Sequence, residues 1–467
     1  MRRVPWTVLL VLALAGQART AAAADLIDAW QAAVLNDKAY AVGRAAQAAS
    51  QPRRDQAAAL WKPNVALTAT LGIASSETAT HGAQFSAPGF GQSSGVGFST
   101  SVNGGTSGRF SISAAQPLYN PKRRAEQQQL SLSADVADLE WQAAGQSLML
   151  RTVGRYFDLA LAEEAQRVLR LQLDAVQRAT TEAQDRFTLG SVPITDTYEA
   201  RARLAGVRAQ MLSADNDVQV KRHLLADSTG LPVDTLSARL PAPLPASQGT
   251  ARATASRPLE SWLSEAQAGN LAIRSQSLAA EVARQEAGKH SLRSSATVDL
   301  VAQASRDRLG GSGDFGPASN SATNAMVGIQ LSVPLYTGGM RDAKEQEAMR
   351  LAQKVQAEGE RTREDVAQQV RAAWLGLSVG AERLRALAEG LSAGVARRGA
   401  TQLAREVGER TTLDLLNAEN DAASAQLALA HERVSLLTER LRLLALTGQL
   451  DEAALRSVNA DLAPGPR

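Results

Sequence analysis

Residues able to do covalent chemistry are few in this chain and do not gather. The four histidines, His81, His223, His290 and His431, stand far apart. They show neither metal-ligand spacing nor a neighbouring carboxylate cluster. Gly91-Gln92-Ser93-Ser94-Gly95 has the spacing of a nucleophile elbow, but no helical pattern follows its Ser/Gly-rich stretch, so composition accounts for it. Gly89-Phe90-Gly91 likewise lacks the strand-to-helix setting of a phosphate loop. The absence of cysteine excludes disulfides, thiolate metal sites, thiol catalysis and a lipid-bearing first residue. The expectation is no catalytic site, no metal and no cofactor.

What remains is charge at two matched turns. Leu189-Gly190-Ser191-Val192-Pro193-Ile194-Thr195-Asp196 aligns with Val407-Gly408-Glu409-Arg410-Thr411-Thr412-Leu413-Asp414 at an offset of about 218 residues, far too long for a small solenoid repeat. Each glycine ends a long helical tract, where the left-handed conformation caps a helix. Asp196 with Glu199, and Thr411 with Asp414, read as capping pairs of the helices that follow, the acids being favoured by the helix dipole. Nearly the same offset relates Gln116-Pro117-Leu118-Tyr119 to Val333-Pro334-Leu335-Tyr336, and Phe157 to Trp374. A whole structural unit is duplicated.

Arg2 and Arg3, the apolar run Val8 to Ala15 and the small residues Ala22-Ala23-Ala24 have the layout of a secretory signal peptide over 1–24. Without Arg2, Arg3 and Arg19 the charges balance at 47 against 47, so nothing points to nucleic acid. No later stretch is long and apolar enough for a transmembrane helix, which leaves a barrel as the only means of crossing a membrane. The proline-free tracts 121–188 and 340–406 carry amphipathic helical periodicity. Each would be roughly 100 Å long if continuous, and helices of that length need lateral partners.

Four segments alternate strictly, as strands with two unlike faces do: 62–75, 106–118, 295–305 and 325–335. Each has the length a tilted strand needs to cross a bilayer. The intervening Gly/Ser/Asn-rich stretches, Ser75 to Ser107 and Arg306 to Asn324, read as water-facing loops. Four strands cannot close a lipid-facing barrel, so other copies of the chain must complete it. The expected order is a first repeat over 25–230 with returning helix 194–230, a Pro/Ala/Ser-rich crossover linker over 231–257, a second repeat over 258–448 with returning helix 412–447, and a tail over 449–467.

This order, together with Arg-Phe-Thr-Leu-Gly-Ser-Val-Pro-Ile-Thr-Asp at 186–196 and Leu-Ser-Val-Pro-Leu-Tyr-Thr-Gly-Gly at 331–339, resembles the TolC family of outer-membrane exit ducts over nearly the whole chain. The resemblance implies an α+β membrane protein: a homotrimer with one twelve-stranded β-barrel, four strands per chain, continued by a long α-helical coiled-coil tunnel in the periplasm. It implies contact with outer-membrane lipid, a periplasmic adaptor and an inner-membrane pump, either an ABC transporter or an RND pump. Many efflux members begin with a lipidated cysteine, which this chain lacks. The expectation is therefore type I protein secretion, with multidrug or metal efflux as the alternative. An exported helical rod without a pore would have no use for paired strands of bilayer length.

By the same resemblance, Gly190 and Gly408 mark turns where the adaptor docks. Asp414 points to the three-fold axis, where three copies form a cation-binding constriction. The sequence departs from the family's two-aspartate pattern at Asn417, which should about halve the ring's charge. Arg410 is placed near Thr195 and Asp196 as a gate latch. Arg405 stands where a tyrosine would join that latch; it could pair with Asp196 or be solvated. Tyr119 and Tyr336 sit at equivalent strand-to-helix junctions, suited either to the lipid headgroup level or to ordinary packing.

Overall fold

The structure, a computed structural model, describes residues 25–89, 91–242, 257–291, 295–314 and 316–462. The expected signal peptide, most of the crossover linker and the end of the tail lie outside the described residues. In chain order the elements are α1 (Leu26–Asn36), α2 (Lys38–Ala48), α3 (Ser50–Ala59), β1 (Asn64–Ala87), β2 (Gly91–Tyr119), α4 (Pro121–Thr188) and α5 (Ile194–Thr229). There follow α6 (Leu259–Gly269), α7 (Leu271–Lys289), β3 (Thr297–Gly313), β4 (Gly316–Ser332), α8 (Met340–Glu406), α9 (Thr412–Leu446) and α10 (Glu452–Ala460). They form two compact units.

One unit comprises Met1–Ala46, Leu139–Arg274 and Thr362–Arg467, and the regular structure of its described residues is helical. Its larger core gathers Leu26, Val153, Tyr156, Phe157, Leu159, Val218, Leu225 and Leu441 from α1, α4, α5 and α9. Tyr156 is fully buried, meets Phe157 edge to face at 5.6 Å, and its hydroxyl accepts the Arg239 N–H at 3.1 Å. A second core sets Trp262 of α6 against Val366, Val370 and Leu377 of α8 and Leu443 of α9. The expected tail is not peripheral, because α10 inserts Leu455 and Val458 into the larger core and Leu462 bridges to Pro241. The linker also contributes to that core, through Leu236.

The duplication is written into the caps. The Asn36 amide donates to the Thr229 carbonyl at the end of α5, at 2.8 Å. The Asn270 amide does the same for Leu446 at the end of α9, at 2.9 Å. Gly230 and Gly448 then end these two helices at φ 70° and 75°.

The other unit, Gln47–Asp138 with Ser275–Arg361, holds the sheet. Its order is β1-β2-β3-β4, all antiparallel. The strands overrun the expected spans. Residues 75–107 and 306–324, read as loops, continue the ladders to tight turns after Ala87 and Gly313. Gly, Ser, Thr and Asn accept strand geometry there because the antiparallel partner satisfies their backbone groups without a buried face. On one face Val65, Leu67, Leu71 and Ile73 lie exposed beside Phe110 and Ile112 and, on β4, Val327, Ile329 and Leu331. Along β1 this band is about 26 Å long at 3.3 Å per residue, the height of a barrel's lipid-facing belt. At the foot of the sheet, Asn120 caps α4 by accepting the Arg123 N–H at 3.0 Å, with Pro121 as the first helical residue.

The most demanding packing is where Gly448 meets Gly269, since a Cβ on either would run into the other segment's backbone. Gly448→Ala should therefore cost about 2–4 kcal/mol, from overpacking together with a left-handed backbone. Guanidinium unfolding of the solubilised protein measures this, and a loss below about 0.5 kcal/mol, the scale of a surface change, would show that the backbones can part.

Candidate functional site

The two matched turns are built alike at their helix ends. After α4, Gly190 takes φ 72°, its N–H reaches the Phe187 carbonyl at 2.9 Å, and the Ser191 N–H reaches Arg186 at 2.8 Å. After α8, Gly408 takes φ 81°, with Gly408 bonded to Arg405 at 3.1 Å and Glu409 to Ala404 at 2.8 Å. Both are Schellman caps.

The helix starts differ. On α9, Thr411 Oγ1 accepts the Asp414 N–H at 3.1 Å, and Asp414 Oδ2 accepts the Thr411 N–H at 3.0 Å, a complete capping box. The Thr411 hydroxyl also lies 2.9 Å from that carboxylate. The Thr411 N–H, then its hydroxyl, and further off the Arg410 charge hold the Asp414 carboxyl below the ordinary aspartate value. On α5 the N-cap is Pro193, which has no side chain to cap with, so Asp196 and Glu199 are not a capping pair. Asp196 occupies the first turn instead, where the dipole favours its charge, and among the described residues its carboxylate accepts one hydrogen bond, from the Thr195 hydroxyl at 3.4 Å. Asn417 is exposed one turn beyond Asp414.

Asp196 and Thr411 line one cleft of about 120 Å³, with Ala183, Arg186 and Leu416. Within the chain, Arg410 is exposed and bonded to neither Thr195 nor Asp196. Arg405 does neither of the two things expected of it. It reaches across to α4 and pairs with Glu182 at 2.8 Å, and Glu182 also holds Arg186 at 2.8 Å. Sequence reasoning missed Glu182, although Glu182 and Arg186 stand at i,i+4 spacing next to the turn. It also missed Glu419, an acid inside the stripe Leu415, Leu416, Ala418 and Ala422. Burial pushes the Glu419 carboxyl up against the pull of Arg398, Arg178 and Arg405, and its Oε2 has no hydrogen-bond partner.

Tyr119 is the last residue of β2 and half exposed, while Tyr336 lies between β4 and α8 and is 88% exposed. Intrachain packing therefore explains little of Tyr336. Among the described residues no helix is long and apolar enough to cross a membrane, and no group of His, Cys, Asp or Glu is placed to hold a metal.

Two segments, 29–231 and 262–449, match the family model described as outer membrane efflux protein. The chain belongs to that family. The two matched segments leave residues 232–261 unmatched between them. The chain is 27% identical over 365 residues to the outer membrane protein TolC of Vibrio cholerae, covering 75% of this chain and 79% of the relative. It is 25% identical over 466 residues to the proteases secretion protein PrtF of Dickeya chrysanthemi, covering 100% of this chain and 96% of the relative. Among solved structures, the outer membrane protein VceC of Vibrio cholerae shares the fold at a TM-score of 0.71 and 18% identity, over 91% of this chain and 96% of that one. This efflux-family member is an outer-membrane channel protein with a TolC-like fold, helical in the periplasm and with a four-stranded sheet in each chain.

Two outcomes follow for the turns of this family member. Thr411→Val should cost about 1 kcal/mol through the lost cap and bring the Asp414 carboxyl back toward its ordinary value; carboxylate titration by NMR and denaturant unfolding report the two effects. Glu182→Gln and Arg405→Ser should be non-additive by about 0.5–1 kcal/mol, as for a partly exposed pair. Strict additivity in the double-mutant cycle would mean that the ion pair carries no stability.

Proposed function

We propose that three copies of this chain close one twelve-stranded barrel and form the exit duct of a tripartite export system whose cargo is protein. An ABC-class transporter of the inner membrane supplies the energy and a periplasmic adaptor bridges to the tips of the helices near Gly190 and Gly408. The need for partner copies is supported by the open edges of β1 and β4, whose backbone groups would be unsatisfied at the depth of the bilayer. The nature of the cargo rests on one observation, the likeness to a proteases secretion protein along the whole chain. Drug or metal efflux with an RND pump is the second reading, favoured by the family's description as efflux proteins. A non-porous rod gains nothing from an exposed apolar band on a sheet of this kind.

In this reading the three Asp414 carboxylates surround the axis at the narrow end of the tunnel, with Asn417 one turn beyond in place of a second acid. The capping box fixes the orientation of each Asp414, so the ring is preorganised for a cation. The Arg410 guanidinium, without an ion pair or hydrogen bond among the described residues, is available to Thr195 and Asp196 of a neighbouring copy, and opening would separate them. Arg405 acts one step back, holding α8 against α4 through Glu182. Tyr119 and Tyr336 mark the inner headgroup level.

Single-channel recording in planar bilayers tests the duct and its gate together. Wild type should pass a cation-selective current blocked by a trivalent cation from one side, and Asp414→Asn should weaken that block roughly tenfold or more, the loss of one charge-assisted contact per copy. Arg410→Ser with Arg405→Ser should raise the conductance, and an unchanged value would remove the latch. Deletion of the gene separates the two cargo readings: lost export of a secreted enzyme with unchanged drug tolerance supports secretion, and the reverse pattern supports efflux.

A further inference from the structure

The apolar face of the sheet carries two arginines that its register does not neutralise. On β3 the exposed face runs Leu300, Ala302, Ala304, Arg306, Arg308. Arg306 stands between Phe110 of β2 and Thr323 of β4; Arg308 stands between Gly108 and Ser321. The acids of β3, Asp299 and Asp307, have the opposite parity and point to the other face. There Asp307 is already paired with Arg109. Among the described residues, Arg306 and Arg308 have no ion-pair or hydrogen-bond partner, and both are exposed. The hydroxyls of Thr323 and Ser321 lie directly opposite them across the ladder, about 5 Å away at Cβ.

Toward the helices from Arg306, the same face sinks into a trough of about 390 Å³ walled by Ile112, Ala114, Ala302, Ala304, Ala325 and Val327. Four alanines on three adjacent strands make the depression, since each side chain stops at Cβ. The helices join the sheet at its foot and the hairpin turns lie at its other end, so in an outer-membrane protein with a periplasmic helical part the arginines lie on the outer side of Leu300 on β3 and of Val327, Ile329 and Leu331 on β4, level across the ladder with Phe110 of β2 and Leu71 of β1. A cationic pair with two hydroxyls above an apolar trough has the chemistry of a lipid whose phosphate sits at the headgroup level over an acyl chain.

We infer that Arg306 and Arg308, with Ser321 and Thr323, bind the phosphate of an outer-leaflet glycolipid whose acyl chain lies in the alanine trough. The glycolipid is favoured over a free anion because the trough gives an acyl chain a place that a free anion would not use. The site is independent of which cargo the duct carries and rests only on placement in the outer membrane.

The test is native mass spectrometry of the full-length protein in mild detergent after incubation with lipid A, dephosphorylated lipid A or phosphatidylglycerol. Wild type should retain lipid A in preference to the other two. Arg306→Gln with Arg308→Gln should lower retention roughly tenfold or more, from two lost charges near the surface. Arg306→Lys with Arg308→Lys should keep most of it. Ala302→Phe with Ala304→Phe fills the trough without touching the charges and should also lower retention. Heat-resistant oligomer on gels and unchanged conductance show that each variant is folded, and the dephosphorylated lipid tests the phosphate contact on wild type alone. Equal retention of dephosphorylated lipid A, undiminished binding in the glutamine variant, equal binding of phosphatidylglycerol, or displacement by millimolar inorganic phosphate would each overturn the assignment.

Discussion

Backbone amides at the depth of a bilayer must all be hydrogen-bonded, and the described residues of this chain supply four strands with which to do it. The β1 and β4 ladders end in open rows of N–H and C=O groups beside an apolar face that suits lipid and nothing aqueous. That one constraint makes the single chain incomplete and turns a sheet into a share of a barrel. It also explains why the apolar belt lies on the face of the sheet instead of between packed layers: its partner is lipid.

The helical unit answers a different demand. Helices of 68 and 67 residues have weak amphipathicity and many alanines, so no one stretch is held strongly. Stability comes from a few dense cores and from paired devices such as Asn36 on Thr229 and Asn270 on Leu446. Charges between helices do the remaining tethering, with Arg222 on Glu163 at 2.7 Å and Arg405 on Glu182 at 2.8 Å. Such contacts are individually modest.

Much of this was readable in the sequence because it depends on local pattern. The Gly190 and Gly408 caps follow from a glycine closing a periodic tract, and the Thr411–Asp414 box from spacing. What escaped were features that depend on a neighbour distant in the chain. The hairpins above the belt looked like loops because Gly/Ser/Thr alternation carries no hydrophobic signal, although the opposite strand satisfies their backbone. Asp196 matched a capping pattern, yet Pro193 took the cap position. Arg405 was offered Asp196 at the matched turn, while its actual partner is Glu182 on α4, 223 residues away. The short α10 had too few residues to show that its apolar side completes the main core.

That last helix ties the two ends of the fold together. The Leu26 N–H donates to Asn459 at 3.1 Å, the Asn459 amide donates to Asp25 at 3.0 Å, and Leu455 and Val458 lie against the same core as Leu26 and Tyr156. The first repeat therefore cannot finish its own interior from its own residues. During export, the segment that emerges first must wait, partly open, for the segment that emerges last. The chain closes as a ring would, and half a chain released early has no seal for its core.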